Sequence, residues 1–330
     1  MLDWLLKKPA ARNLMWNVAA SPDHTYVVFG DARLAAQVAG ALTDLDRTLA
    51  EASREARADI DDPAFVDQFD DDGNVRTIIA ERITIEPVAD VERARAATID
   101  PSAFADATSA LCVRAKDTEL LEELAPYALL GAACAIARAA DGRVYDTLGM
   151  RIVPQELVDD TFSGLPLHSV GAHVTIVNTT DADGTLRFTT VGLAKFGLFD
   201  VTLGSVPASQ PEAADIVAAF AQSRVPDSPR TPGPWKVDQV YVSASDISFF
   251  YDGPDAESSA KKPTYVRLQA RPIASESRIW AIEGEKGPLG ASGIAKALEA
   301  FARDRATAKI EAAETAAKAA SAQAEATNVR

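Results

Sequence analysis

Lys286 and Ser292 stand in Trp280-Ala-Ile-Glu-Gly-Glu-Lys-Gly-Pro-Leu-Gly-Ala-Ser-Gly-Ile294, which reads as a strand, a glycine-rich turn and a helix. Such a turn can cradle phosphate, because backbone N–H groups and a helix N-terminus converge on one anion while a lysine adds charge. The turn 284–293 fits neither G-x-G-x-x-G nor G-x-x-x-x-G-K-[ST], so the competing reading is a flexible connection with Ser292 as helix N-cap. Thr190, Lys195 and Asp200 form a second polar group, in 188–203, where glycines, aromatics and strand formers crowd together. There Gly192 and Gly197 permit turns or positive φ. Leu193, Phe196, Leu198 and Phe199 anchor the segment in a core, leaving Lys195 and Asp200 as candidates for a surface feature.

No catalytic residue emerges. Ser292 is outside any G-x-S-x-G, H-E-x-x-H and C-x-x-C are absent, and carboxylates are too many to pick an acid–base pair. No metal or cofactor is implied. His24, His168 and His173 are scattered and lack paired-ligand spacing. In the acidic stretch 59–72, setting Gly73 as the invariant glycine of a calcium loop puts Gln68 first and Ile79 last, and isoleucine offers no oxygen ligand. The turn at Asp181-Ala-Asp-Gly184 fails in the same way, with Thr179 first and Thr190 last.

The chain of 330 residues has length for about two domains. Its net charge of −15 repels phosphate backbones, and no Lys/Arg run exceeds two residues, so nucleic acid is an unfavoured partner. No stretch approaches the ~20 apolar residues of a membrane span. The apolar run at Leu2-Asp-Trp-Leu-Leu6 is too short for a signal-peptide core; it could dock on a partner or a membrane surface, but the favoured reading is a segment that packs back on its own domain. Cys112 and Cys134 read as buried thiols, although a disulfide needs geometry to judge, and two thiols in so long a chain fit a reducing, cytoplasmic compartment.

The elements that would position these groups follow from periodicity. Thr25–Phe29 is a strand closed by Gly30, and Asp31 precedes a helix with Leu34, Val38, Leu42, Leu45 and Leu49 on one face. Strands are expected at 75–86, ended by Pro87, at 109–115 and at 143–145, with a short helix at 90–97. A second long helix spans 118–140, broken or restarted at Pro126. This order, β-α-β-β-α-β, is that of a ferredoxin-like split βαβ, with both helices on one sheet face. In the second half, strands are expected at 172–178, 185–191, 199–203, 237–242, 264–270 and 278–283, with a helix at 211–223. A Pro-rich connector covers 224–234 and a polar loop 252–263. A last helix carries Ile294, Leu298 and Phe301; beyond Ile310 only alanine continues its face, so the tail past Thr315 should fray or order on a partner.

The segment Thr190-Val-Gly-Leu-Ala-Lys-Phe-Gly-Leu-Phe-Asp200 resembles an uncharacterised bacterial family, a domain of unknown function that reads roughly T-x-G-L-x-x-F-G-x-x-[DE]. Thr190, Gly192, Leu193, Phe196, Gly197 and Asp200 match. Asp141-Gly-Arg-Val-Tyr-Asp146 is also similar to a segment that the family places after a small-residue helix. Val191 stands where members often have a basic residue or histidine, and Phe199 where proline is common. The resemblance spans about 24–225 and implies no activity.

The expected fold is therefore α+β: a ferredoxin-like βαββαβ N-terminal half and a mainly antiparallel C-terminal half with a terminal Ala-rich helix. The expected domains are 1–148, 149–305 and a partly disordered helical tail, 306–330, and the two halves could share one sheet. The functional expectation is a non-enzymatic cytoplasmic binding or assembly protein, with a protein partner or homo-oligomer held through the terminal helix. The alternative is an enzyme or sensor for a small phosphorylated ligand at 284–293. Ligand-binding candidates are Thr190, Lys195, Asp200, Lys286 and Ser292.

Overall fold

A computed structural model describes residues 15–17, 25–57, 83–115, 125–159, 169–196, 198–225, 234–236, 240–252, 262–273 and 276–328. Expectations at Leu2–Leu6, the acidic stretch 59–72, Leu49's side chain, His24, His168, Gly197 and most of both long loops lie outside the described residues. The chain is α+β. A short ribbon pairs β1 (Met15–Asn17) with β10 (Pro234–Lys236).

The first half builds a five-stranded antiparallel sheet from β2 (Thr25–Gly30), β3 (Ile83–Pro87), β4 (Ser109–Ala115), β5 (Arg143–Asp146) and β6 (Arg151–Ile152). Its order is β3-β4-β2-β5-β6. Helices α1 (Leu34–Arg57) and α3 (Ala125–Ala139) cover one face; the short α2 (Val91–Ala96), capped by Asp90, and Phe104 cover the other. The 3.6-residue period of α1 is spent on this sheet, through Leu34, Val38, Leu42 and Leu45. Ala132, Ala133, Cys134 and Ala137 let α3 approach closely, because no long side chain holds its backbone off the strands. Cys134 is buried and Cys112 half-buried. α3 ends where Asp141 takes φ +51° and the Gly142 N–H returns to the Ala137 carbonyl at 2.7 Å. Pro87 is the last residue of edge strand β3 rather than a stop after it; an edge tolerates the missing N–H. β6 pairs with β5, and Val158 of α4 (Gln155–Asp159) joins the core of this sheet and its helices.

The second half holds a separate sheet, so the two halves do not share one. Its strands are β7 (Thr175–Thr180), β8 (Leu186–Val191), β9 (Asp200–Val206), β11 (Val240–Val242), β12 (Val266–Ile273), β13 (Glu276–Gly284) and β14 (Gly287–Pro288). The order is β11-β12-β13-β9-β8-β7, with β14 on β13. All described pairs are antiparallel except β9 with β13. The strand expected from Ala172 begins at Thr175; Val170–Ala172 form a 3-10 turn capped by Ser169.

Helices α5 (Ala214–Arg224), α6 (Ala244–Asp252) and α7 (Ala291–Asn328) accompany this sheet. Ile216, Val217 and Phe220 of α5, Ile247 and Phe250 of α6, and Ile294 and Phe301 of α7 join its core. α6 was not expected from the sequence. Helix α7 continues through Thr315 to Asn328 without interruption.

Candidate functional site

Where the two halves meet, Gly192 turns the chain out of β8 at φ +117°. A Cβ there would stand 2.8 Å from the His173 carbonyl oxygen, so glycine alone fits the approach. The turn leads into a 3-10 segment, Leu193–Phe196, whose apolar residues bury it and carry Lys195 inward. The Lys195 ammonium donates to Asp146 at the end of β5 and, at 2.5 Å, to the His173 carbonyl. It also lies 5.5 Å from the centre of the Tyr26 ring on β2, in cation–π range. Asp146 accepts the Gly149 N–H at 2.8 Å, and its other oxygen is 3.6 Å from Nε of Arg151. Arg151 donates in turn to the carbonyls of Gly171, at 3.0 Å, and Ala172. One lysine thus joins strands of the first sheet to the chain entering and leaving the second.

Thr190 and Asp200 form an adjoining bracket. The Thr190 hydroxyl donates to Asp200 at 3.0 Å and accepts the Val201 N–H at 2.8 Å; Asp200 accepts the Leu193 N–H at 3.1 Å. The bracket fixes the turn that aims Lys195. The structure therefore brings Thr190, Lys195 and Asp200 together and commits them to one another and to the first half.

Burial decides the protonation of this cluster. It pushes the Lys195 ammonium down to about 8, assisted by the positive charge of Arg151 and opposed by Asp146. Burial also raises the Asp200 carboxyl to about 6, against the bonds from Leu193 and Thr190. The Tyr26 phenol is raised well above its ordinary value, first by burial and then by Asp146. Its hydroxyl has no hydrogen-bond partner among the described residues.

Lys286 and Ser292 are both exposed. Lys286 occupies the tip of the β13–β14 hairpin, where Gly284 pairs with Gly287. Ser292 is the second residue of α7 rather than its cap: the Gly290 carbonyl accepts the Ile294 N–H at 3.0 Å and the Gly293 N–H at 2.8 Å. A hairpin closed this tightly uses its glycines for strand pairing.

A cleft of about 720 Å³ opens beside the junction, walled by Arg151, Ile176, Phe188, Ala214, Phe250 and Tyr251 among others. None of the five candidates lines it. Among the described residues, no cluster of His, Cys, Asp and Glu is placed to hold a metal ion, and no helix is long and apolar enough to cross a membrane.

Sequence reasoning missed the roles of Tyr26, Asp146, Arg151 and the His173 carbonyl. Signals existed: Asp146 ends the otherwise buried run Val144-Tyr145, and Lys195 is enclosed by Leu193 and Phe196. Comparison with protein-family models, curated proteins and solved structures returned no match.

Proposed function

We propose that this chain is a non-enzymatic binding or assembly protein that meets its protein partner, or a second copy of itself, through α7. The observation that carries this reading is the loss of burial along that helix. Ile294, Ala297 and Phe301 are buried, and Asp304 accepts the Thr264 N–H at 2.7 Å. From Arg305 onward no described side chain is buried, and Ile310 is 61% exposed. At 1.5 Å per residue, the segment beyond Asp304 is on the order of 35 Å long. Ala306, Ile310, Ala313 and Ala317 recur at intervals of four, three and four, a stripe a second helix can approach closely.

The body is read as the holder of this helix. The inward use of Lys195, Thr190 and Asp200 supports a structural role for the segment that resembles the bacterial family. We infer a ferredoxin-like arrangement for the first half, supported by its strand order and by two helices on one face. A bacterial cytoplasmic setting is supported by that resemblance and by a count of only two cysteines in so long a chain.

Light scattering on the full chain and on a chain ending at Arg305 tests assembly through α7. A larger mass for the full chain, lost on truncation, is the expected result for self-association. Equal monomeric behaviour would remove the homo-oligomer, and the absence of any complex that depends on α7 would remove the reading altogether.

A further inference from the structure

The outer edge of the second sheet differs from the other edges of the molecule. β7 pairs only with β8, and among the described residues no backbone group of Thr175–Thr180 bonds on its outer side. Edges are ordinarily guarded by charge, proline or shortness. β3 carries Glu86, ion-paired with Arg114, and Pro87; β6 carries Arg151; β11 has three residues. β7 reads Thr-Ile-Val-Asn-Thr-Thr, six residues with no charge and no proline, and Val177 is 41% exposed.

The 720 Å³ cleft is lined by Thr175, Ile176 and Asn178 of this strand together with Phe188 of β8 and Phe250 and Tyr251 of α6. An open strand edge beside a cleft of mixed polar and apolar lining can take an extended peptide, which adds to the sheet and places alternate side chains in pockets. The charge of the cleft selects the end of the peptide. None of its lining residues is acidic, in a chain with 48 Asp and Glu, and its one cation is Arg151. A guanidinium has five N–H donors. Two carbonyls and the more distant Asp146 leave donors of Arg151 without an acceptor among the described residues. Arg151 is held at the Thr175 end of the strand, since Thr175 bonds the Gly149 carbonyl at 3.3 Å and Arg151 bonds Gly171 and Ala172.

We propose that this cleft takes an extended peptide ending in a free carboxylate, added antiparallel to β7 with its terminal carboxylate at Arg151. Main-chain pairing supplies the affinity, and the cleft takes alternate side chains. No residue of α7 lines this cleft.

The test is fluorescence anisotropy of the full chain with a fluorescein-labelled hexapeptide, Thr-Val-Thr-Val-Thr-Leu, as free acid and as C-terminal amide. Two further free acids carry backbone N-methyl groups on one or the other alternate set of residues. The acid should bind saturably and the amide about tenfold more weakly or worse. One N-methylated set should lose binding while the other keeps it, the signature of pairing along a strand edge. Ala214→Glu, which puts a negative charge in the cleft wall, should weaken the acid by about tenfold with unchanged circular dichroism. No saturable binding, equal binding of acid and amide, or tolerance of both methylated sets would overturn the proposal. So would a dimer abolished by Val177→Lys but kept on truncation before Ala306, since the edge would then belong to a second copy.

Discussion

Lys195 and Asp146, 49 positions apart, form an ion pair in which both side chains are 1% exposed. The pair spans the boundary between the two sheets, so the arrangement of the halves depends on a charge neither can solvate alone. Removing one partner leaves the other charge buried, a loss of typically about 3–5 kcal/mol. Lys195→Met should therefore lower stability by that order, read from urea unfolding. Adding Asp146→Asn, which keeps an acceptor for Gly149, should recover a substantial part. A single-variant loss below about 1 kcal/mol would show that the halves are held by something else.

Asp200 gives a pH signature. Its carboxyl titrates near 3.8 in the unfolded chain and at about 6 when folded. Between those values the unfolded chain has released a proton that the folded chain still holds, so this group's contribution to stability falls as pH rises. The cost is absent below 3.8 and complete above about 6. Calorimetry from pH 4 to 7 should show this slope in the native chain and a flatter one in Asp200→Asn. Identical slopes would mean that Asp200 is ionised in the fold at ordinary carboxylate pH.

Lys195 acts in the opposite sense at higher pH. Its folded value of about 8 lies below the unfolded 10.5. From about 8 to 10.5 the unfolded chain holds a proton that the folded chain has lost, so this group's contribution rises with pH. Subtracting the Lys195→Met curve from the native one over pH 7.5–10 isolates that rise; a flat or falling difference would contradict it.

Gly192→Ala combines two costs, a φ of +117° and a contact at 2.8 Å with a carbonyl that accepts from Lys195. A loss on the order of 1–3 kcal/mol follows from the strain alone. Gly184→Ala is the control: its φ is +81°, but nothing lies within 4 Å of the added carbon. Thermal unfolding should rank Gly192→Ala clearly below Gly184→Ala, and equal midpoints would exclude the close approach as the cause.

Cutting the chain before Ala306 should leave the melting midpoint within a degree or so, because Asp304 and the Arg305–Asp215 bridge are retained. A large drop would show that the distal helix supports the body.

Local pattern made much of the scaffold legible. Strand β4 begins and ends at the residues expected, and the Leu34–Leu45 stripe packs where its period directs it. Helix α6 was missed because Ile247, Phe249, Phe250 and Tyr251 give a dense apolar run without clear helical spacing. Its start was nonetheless signed: Asp246 accepts the Ser243 N–H at 2.7 Å and the Ser243 hydroxyl at 3.1 Å, the reciprocal half of a capping box. The parallel β9–β13 pair was out of reach, since nothing local in 200–206 names a partner in 276–284. Lys195 and Asp200 were located but read as facing solvent, the usual place for charge. Lys195 takes its direction from Gly192 and from Asp146 in the other half, and Asp200 from Thr190 and the Leu193 N–H, none of which spacing alone encodes.

The β9–β13 pairing also bears on synthesis at the ribosome. By residue 152 every strand of the first sheet has been made, whereas β9 waits for β13 while roughly 70 further residues are added. During that interval Val201 and Thr202 lack their final neighbour on an open strand, a window in which nascent chains are prone to mispair. Emergence of β13 and of Ile294 and Phe301 behind it, rather than of the first half, sets when the second core can close.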